Sequence, residues 1–168
     1  MTGEVVIRPA RTPDVGAVRR LVGMYTEDGR LLAKAPVTLY EDVQEFVIAE
    51  VDGRVVGCGA LHVMWEDLGE IRTLAVDPEH ARHGIGGRIL DQLIGRARDL
   101  GLARLFCLTF EMDFFRSRGF EEIEGSPVDH VVFEQLLQSY DEGVAEFLDL
   151  ERVKPNTLGN HRMLMLLR

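Results

Sequence analysis

Several features that would place the chain in a particular class of protein are missing from its 168 residues. There are two cysteines, far fewer than a small disulfide-stabilised secreted domain contains. No apolar run approaches the roughly 18 residues of a membrane-spanning helix, and the first residues lack a signal-peptide pattern. We therefore expect a cytoplasmic protein with no membrane partner, in which Cys58 and Cys107 are reduced core residues.

Positive charge is also scarce. Nineteen Lys and Arg against 28 Asp and Glu give a net charge of −9, which argues against nucleic-acid binding. His80 and His83 have a spacing that metal ligands can use, but no third ligand is visible, so we predict no metal site. The length and the hydrophobic content of 46% predict one globular domain over residues 1–168.

The functional argument starts from residues 70–90. A strand-like run over residues 70–76 ends at Asp77-Pro78, because proline cannot donate to a strand ladder. A glycine-rich segment, residues 84–87, follows, and apolar residues at helical spacing from Ile85 to Ala97 predict a helix that begins there. Its unpaired N–H groups and the positive end of the helix dipole suit an anion, most often a phosphate.

The glycine spacing fits neither of two common nucleotide motifs. A Walker loop needs Gly-Lys-Ser/Thr, which is absent, and a dinucleotide fingerprint needs a third glycine where Ile89 stands. The stretch instead resembles the acyl-CoA loop of the GCN5-related N-acetyltransferases (GNAT superfamily), in which Val-x-Pro precedes Arg/Gln-x-x-Gly-x-Gly/Ala. Val76-Asp77-Pro78 and Gly84-Ile85-Gly86 match, whereas Ala81 replaces the usual Arg or Gln.

The resemblance implies acetyl-CoA as co-substrate. Its phosphates would be held by residues of the loop and the helix start, namely Arg82, His83, Gly84, Ile85, Gly86, Gly87 and Arg88. The family pattern also implies that the backbone of Leu74, Ala75 and Val76 pairs with the pantetheine like an added strand.

Hydrophobic periodicity and turn residues predict the remaining elements. Asp52-Gly53 between two apolar runs predicts a hairpin with a type I′ turn. Thr12 and Thr38 are predicted helix N-caps, and residues 64–69 a connection. Other expected strands are 5–8, 46–51, 54–62, 104–109, 120–123 and 163–167, and other helices are 84–100, 112–118 and 131–140. With the resemblance, these elements predict the GNAT fold, an α/β fold whose mixed central sheet of about six to seven strands is flanked by helices.

Acetyl transfer to an amine requires removal of the ammonium proton and stabilisation of an oxyanion. Glu70 begins a strand similar to the base-bearing strand of several family members, which implies that it is the general base. The Leu74 N–H would then face the thioester carbonyl. A tyrosine that usually protonates the leaving thiolate is replaced by Phe115, which cannot donate a proton. Water, Thr109, or one of three tyrosines (Tyr25, Tyr40, Tyr140) is left for this role.

Two further segments resemble the N-acetylglutamate synthases of this superfamily. Residues 29–34 are similar to the Gly-x-Leu-Val-x-Arg loop of those enzymes, and residues 140–162 resemble the tail of their short, single-domain actinobacterial members. The resemblance implies acetylation of L-glutamate, or of L-glutamine, in the first step of arginine biosynthesis. Such an anionic substrate needs cations, and we predict Lys34, Arg72 and Arg162.

Two other functions stay open at this level. One is a family member that acetylates another small amine or a protein N-terminus, and the other is a non-catalytic acyl-CoA-binding module. The segment 124–160 is also left with two roles, a lid over the substrate or a contact in a homodimer.

Overall fold

A computed structural model of the chain describes residues 3–26, 34–157 and 159–167. Its strands are β1 (Val5–Pro9), β2 (Phe46–Val51), β3 (Arg54–Trp65), β4 (Leu68–Val76), β5 (Arg104–Thr109), β6 (Glu121–Glu122) and β7 (His161–Leu166). Its helices are α1 (Val15–Thr26), α2 (Pro36–Glu41), α3 (Ile85–Leu100), α4 (Met112–Arg116), α5 (His130–Leu136), α6 (Glu142–Phe147) and α7 (Lys154–Thr157). None of the described helices is long and apolar enough to cross a membrane.

The strands form one seven-stranded sheet in the order β1-β2-β3-β4-β5-β7-β6. β4 and β5 pair in parallel, whereas β1 with β2, β2 with β3, β5 with β7 and β6 with β7 pair antiparallel. The sheet is therefore mixed, and its seven strands agree with the six to seven that were predicted.

The chain divides into two compact units, residues 1–62 with 71–100 and residues 63–70 with 101–168. In the first unit, one face of α1 packs with residues of β2 and β3 around the buried side chains of Leu21, Ile48 and Cys58. In the second unit, Phe106 of β5 packs edge-to-face on Phe147, with ring centroids 4.8 Å apart. The single domain over residues 1–168 stays a prediction.

The hairpin between β2 and β3 has the predicted turn. Both Asp52 (φ 51°) and Gly53 (φ 76°) have positive φ, as a type I′ turn requires. Two residues of β3 carry no side chain for a packing reason, because a Cβ on Gly57 or Gly59 would lie 2.9 Å from Ile89 of α3. Helix α3 therefore packs directly on the backbone of β3.

Several predicted boundaries are wrong. The first helix starts as a 3-10 turn over Thr12–Asp14, and Asp14, held by Arg8, accepts the Arg11 N–H at 2.7 Å, so Thr12 is not the cap. Thr38 lies inside α2, which begins at Pro36 because proline suits a first helical position.

Strands β3 and β4 form a second hairpin, which the sequence did not predict. Residues 64–69 belong mostly to β3 and β4, and only a tight turn at residues 66–67 connects them. Helices α6 and α7 fall in the tail where only a strand was expected, and β6 is shorter than residues 120–123.

Candidate active site

Strand β4 carries most of the predicted functional residues. Its ladder with β5 covers three pairs and ends at Glu70 opposite Phe106. Three residues further on, Thr73 has a φ of 58° although its side chain is branched at Cβ and is 8% exposed. A positive φ is strained for such a residue. The Thr73 carbonyl lies 3.4 Å from the Sγ of Cys58, which donates to it.

Glu70 is a buried carboxylate, with 4% of its surface exposed. Residues opposite each other in a sheet share a face, and alternate residues of one strand do so too. The pairs Glu70–Phe106 and Leu108–Arg162 therefore put the Glu70 and Arg162 side chains on one face of the sheet. The charge of Glu70 also helps to keep the guanidinium of Arg162 protonated.

Arg162 is held by the main chain of the second unit. Its Nε donates to the Gly125 carbonyl at 2.9 Å and its Nη1 to the Glu146 carbonyl at 3.2 Å, while Nη2 donates to the Phe147 carbonyl and, at 3.4 Å, to Ser126 Oγ. The guanidinium also lies over the Phe106 ring, 4.9 Å from its centroid. Burial lowers the pKa of Arg162, and the charges of Asp149 and Glu70 oppose that shift.

These contacts explain part of the segment 124–160, whose role the sequence left open. Four of its residues pack in one core with Phe106 and Leu68: Leu136 of α5, Val144 and Phe147 of α6, and Leu148, which follows α6. The segment therefore covers the sheet face to which Glu70 belongs, and the hydrogen bonds of Arg162 hold it there.

Four of the five N–H groups of Arg162 donate to partners among the described residues. Its contact with a substrate carboxylate stays a prediction.

The glycine-rich segment, which is predicted to bind an anion, leads into α3 through left-handed backbone. Gly84 has a φ of 78° immediately before α3, and Arg82 has a φ of 65°. Helix α3 starts at Ile85, so the N–H groups of its first turn lack partners within the helix. Arg82, His83 and Arg88 are exposed around this start, whereas Ile85 and Gly87 are buried.

Two other cations predicted to bind the substrate, Lys34 and Arg72, are half-buried. Arg72 is half-buried on β4, two residues after Glu70. Lys34 is half-buried and close enough to Cys58 for its charge to act on the thiol, whose pKa burial raises to about 12. The other residues of the segment 29–34, which resembles a loop of the synthases, lie outside the described residues.

The candidate proton donors have different surroundings. Phe115 is a core residue, 6% exposed and packed edge-to-face on Phe114 and Phe120. Thr109 ends β5, and its hydroxyl oxygen accepts the Glu111 N–H at 2.8 Å. Tyr40 is half exposed and Tyr140 almost fully exposed, whereas the Tyr25 hydroxyl donates to the Val76 carbonyl.

Sequence reasoning missed three features of this region. The positive φ of Thr73 has no signal in a run of alternating residues. Cys107 was identified as a core residue, but not its position beside the Glu70 charge; burial above all, and then that charge, raises the pKa of its thiol. The burial of Asp77 could have been found, because an acid between a strand and a proline often caps the turn that follows.

No group of three or more His, Cys, Asp or Glu in the described part of the chain could hold a metal ion.

Comparisons with known proteins agree with this geometry. Residues 18–120 match the model of the acetyltransferase (GNAT) family. The chain is 60% identical over 166 residues to an amino-acid acetyltransferase of Mycobacterium tuberculosis, covering 96% of this chain and 94% of that protein. It is 35% identical over 117 residues to an amino-acid acetyltransferase of Pseudomonas putida, where it spans only 27% of the relative's length.

Superposition on solved structures confirms the predicted GNAT fold. The crystal structure of Rv2747 from Mycobacterium tuberculosis in complex with CoA and NLQ superposes with a TM-score of 0.95 at 60% identity, covering 97% of this chain and 99% of that one. N-acetylglutamate synthase from Neisseria gonorrhoeae, complexed with coenzyme A and N-acetyl-glutamate, superposes with a TM-score of 0.79 at 28% identity. That match covers all of this chain and 36% of the synthase.

Proposed function

Because the chain belongs to the acetyltransferase (GNAT) family, we propose that it transfers the acetyl group of acetyl-CoA to the α-amino group of L-glutamate or L-glutamine. The observation that carries the proposal is the buried carboxylate of Glu70 on the strand that leads into the glycine-rich loop. A module that only binds acyl-CoA has no use for such a group. The place of the reaction is the first step of arginine biosynthesis, in the cytoplasm.

The cofactor would bind through main-chain groups and a few cations. The N–H groups at the start of α3 supply donors for the pyrophosphate, and Arg82, His83 and Arg88 supply positive charge around them. The backbone of β4 from Leu74 to Val76 would pair with the pantetheine. A net charge of −9 does not oppose this binding, because the contacts with phosphate are local.

The transfer would proceed directly from cofactor to amine. Glu70 takes a proton from the substrate ammonium, and the neutral amine attacks the thioester carbonyl, whose oxygen accepts the Leu74 N–H. The new C–N bond forms as the C–S bond breaks, and CoA leaves as a thiolate. A thiol with a pKa near the free value of about 8.5 is a good leaving group, so the loss of the tyrosine at Phe115 does not block the reaction. After the attack the nitrogen still carries a surplus proton, and Thr109 or water relays that proton to the thiolate, so that the amide and the free thiol of CoA are formed.

The substrate carboxylates would be held by Lys34 and Arg72. Arg72 is the stronger candidate, because a guanidinium holds a carboxylate in two hydrogen bonds and its strand is the one that carries Glu70. Two similar proteins support an amino-acid substrate: the amino-acid acetyltransferase of M. tuberculosis, and the N-acetylglutamate synthase of N. gonorrhoeae, which binds N-acetyl-glutamate.

An assay of thiol release separates the alternatives. The purified chain is mixed with acetyl-CoA and, in turn, L-glutamate, L-glutamine, a polyamine and a peptide with a free N-terminus. We expect turnover with L-glutamate, L-glutamine or both. Turnover only with the polyamine or the peptide would remove the proposed substrate, and CoA binding without any turnover would show a binding module.

A further inference from the structure

Helix α1 is hydrogen-bonded to the point at which β4 gives way to the glycine-rich loop. The Tyr25 hydroxyl donates to the carbonyl of Val76, the last residue of β4. Five residues earlier in α1, the Nη1 of Arg20 donates to Oδ2 of Asp77, the residue that follows Val76, at 3.4 Å. Its Nη2 donates to the Val55 carbonyl of β3 at 2.9 Å.

Asp77 uses its main chain and its side chain to fix this point. Its N–H donates to the Val56 carbonyl at 2.8 Å, and its Oδ1 accepts the Glu79 N–H at 3.0 Å. The second bond caps the 3-10 turn Pro78–His80, which leads into the glycine-rich segment. The carboxylate is almost completely buried, so a cation beside it has a large effect on whether this arrangement is stable.

We propose that Arg20 and Tyr25 are positioning residues for the acyl-CoA cofactor. They hold Asp77 and Val76 in place, so the anion-binding segment 82–88 starts from a fixed position and its N–H groups converge before the cofactor arrives. They act through these two residues and not by contact with the phosphates. The inference depends on the proposed function, because it takes the ligand of segment 82–88 to be CoA.

The polar contacts are separate from those that attach the helix to its unit. Four aliphatic residues of α1 are buried in the core of the first unit, namely Val15, Val18, Leu21 and Val22. They supply the apolar contact that packs the helix. The bonds from Arg20, in the middle of the helix, and from Tyr25, near its C-terminal end, add a connection to Asp77 and Val76. A carbonyl oxygen can accept two hydrogen bonds, so Tyr25 leaves Val76 able to bind the pantetheine as well.

The test is the affinity for CoA, measured by calorimetry, together with steady-state kinetics. We expect Tyr25→Phe to raise the Kd for CoA about fivefold and Arg20→Gln to raise it about tenfold, the losses typical of one neutral and one charge-assisted hydrogen bond. Both variants should keep the kcat at saturating acetyl-CoA and the KM for the acceptor, whereas a loss of kcat in Tyr25→Phe would make Tyr25 the proton donor and overturn its positioning role. Arg19→Gln, an exposed neighbour on α1, and Tyr40→Phe are the matched controls and should bind CoA like the unmodified chain.

A double variant keeps the test independent of folding. Arg20→Gln leaves a buried carboxylate without its cation, whereas Arg20→Gln with Asp77→Asn removes both charges. If Arg20 acts through Asp77, the double variant should weaken CoA binding by less than the product of the two single effects. If the effects of the two single variants on the Kd simply multiply in the double variant, Arg20 does not act through Asp77. If kcat falls together with the melting temperature, the role of Arg20 is generally structural.

The outcome for the unmodified chain separates this inference from the proposed function. If the unmodified chain does not bind CoA, both are overturned. If it binds CoA and the Tyr25 and Arg20 variants bind it equally well, only the positioning role is wrong.

Discussion

The two ends of strand β4 obtain their functional groups in different ways. At the Glu70 end the carboxylate is buried, and the groups whose charges it influences, Cys107 and Arg162, come from β5 and β7, far away in sequence. At the Val76 end the predicted anion site consists of main-chain N–H groups and exposed side chains from residues 82–88. One end draws its charged groups from distant segments of the chain, whereas the other draws its ligand-binding groups from a local motif that α1 is proposed to position. The ends should therefore respond differently to substitution: changes near Glu70 should affect turnover or folding, and changes near the loop should affect cofactor affinity.

The largest effect is expected from Glu70→Gln. This change keeps the shape of the side chain but removes the proton acceptor, so kcat should fall about 10²- to 10⁴-fold while the KM for acetyl-CoA stays the same. Thiol release measured at saturating and at limiting acetyl-CoA checks both constants.

Glu66→Gln is the matched control for this variant. Glu66 is exposed in the turn between β3 and β4 and should be kinetically silent. If Glu70→Gln retained the turnover of the unmodified chain, Glu70 would not be the base.

The next effect is expected from Arg162→Lys, which keeps the charge but not the planar set of donors. The carbonyls of Gly125, Glu146 and Phe147 would lose most of their hydrogen bonds, so we expect the free energy of unfolding to fall by about 3 kcal/mol. Urea unfolding measures this loss.

The same variant distinguishes the two roles of Arg162. A structural role predicts a lower urea midpoint with a nearly unchanged KM for the acceptor. A role in substrate binding predicts the opposite, a raised acceptor KM with an unchanged midpoint. Arg152→Lys is a suitable control, because Arg152 is half exposed and its ion pair with Glu142 lies at the surface.

The difference between the ends also explains what could be predicted from sequence. The strand, the break at Pro78 and the glycine-rich helix start follow from neighbouring residues, so the cofactor segment 82–88 could be placed before the fold was known. The positive φ of Thr73 and the main-chain partners of Arg162 result from packing between distant segments. The tail was predicted least well for the same reason: α6 is short, and it is held by the core around Phe106 more than by its own periodicity.

At the loop end, Gly84→Ala should have a moderate effect on cofactor binding. An added Cβ would meet nothing within 4 Å, but a φ of 78° strains any residue other than glycine, by roughly 1 kcal/mol for alanine. We expect the KM for acetyl-CoA to rise about fivefold with kcat unchanged.

Gly95→Ala is the control for the loop variant. Gly95 lies inside α3 with equally open space around its Cα, so alanine should stabilise the helix by about 0.5–1 kcal/mol without any change in KM. A loss of kcat in Gly84→Ala, at saturating acetyl-CoA, would contradict the assignment of this end to cofactor binding alone.

The smallest effect is expected from a charge in the first unit that lies outside the proposed site. The guanidinium of Arg8, 2.8 Å from Asp14, lowers the pKa of that carboxyl despite its burial. A lowered pKa in the folded state means that the ion pair stabilises the fold above the unfolded pKa of about 3.9 and loses this effect as the pH falls through the folded value. Asp14→Asn should therefore reduce the free energy of unfolding at neutral pH by about 1 kcal/mol, and the difference should disappear in acid. The kinetic constants should not change, because neither residue borders segment 82–88 in the chain or belongs to β4. A raised KM for acetyl-CoA in Asp14→Asn would show that the cofactor end depends on more of the first unit than segment 82–88 and the residues of α1 proposed to position it.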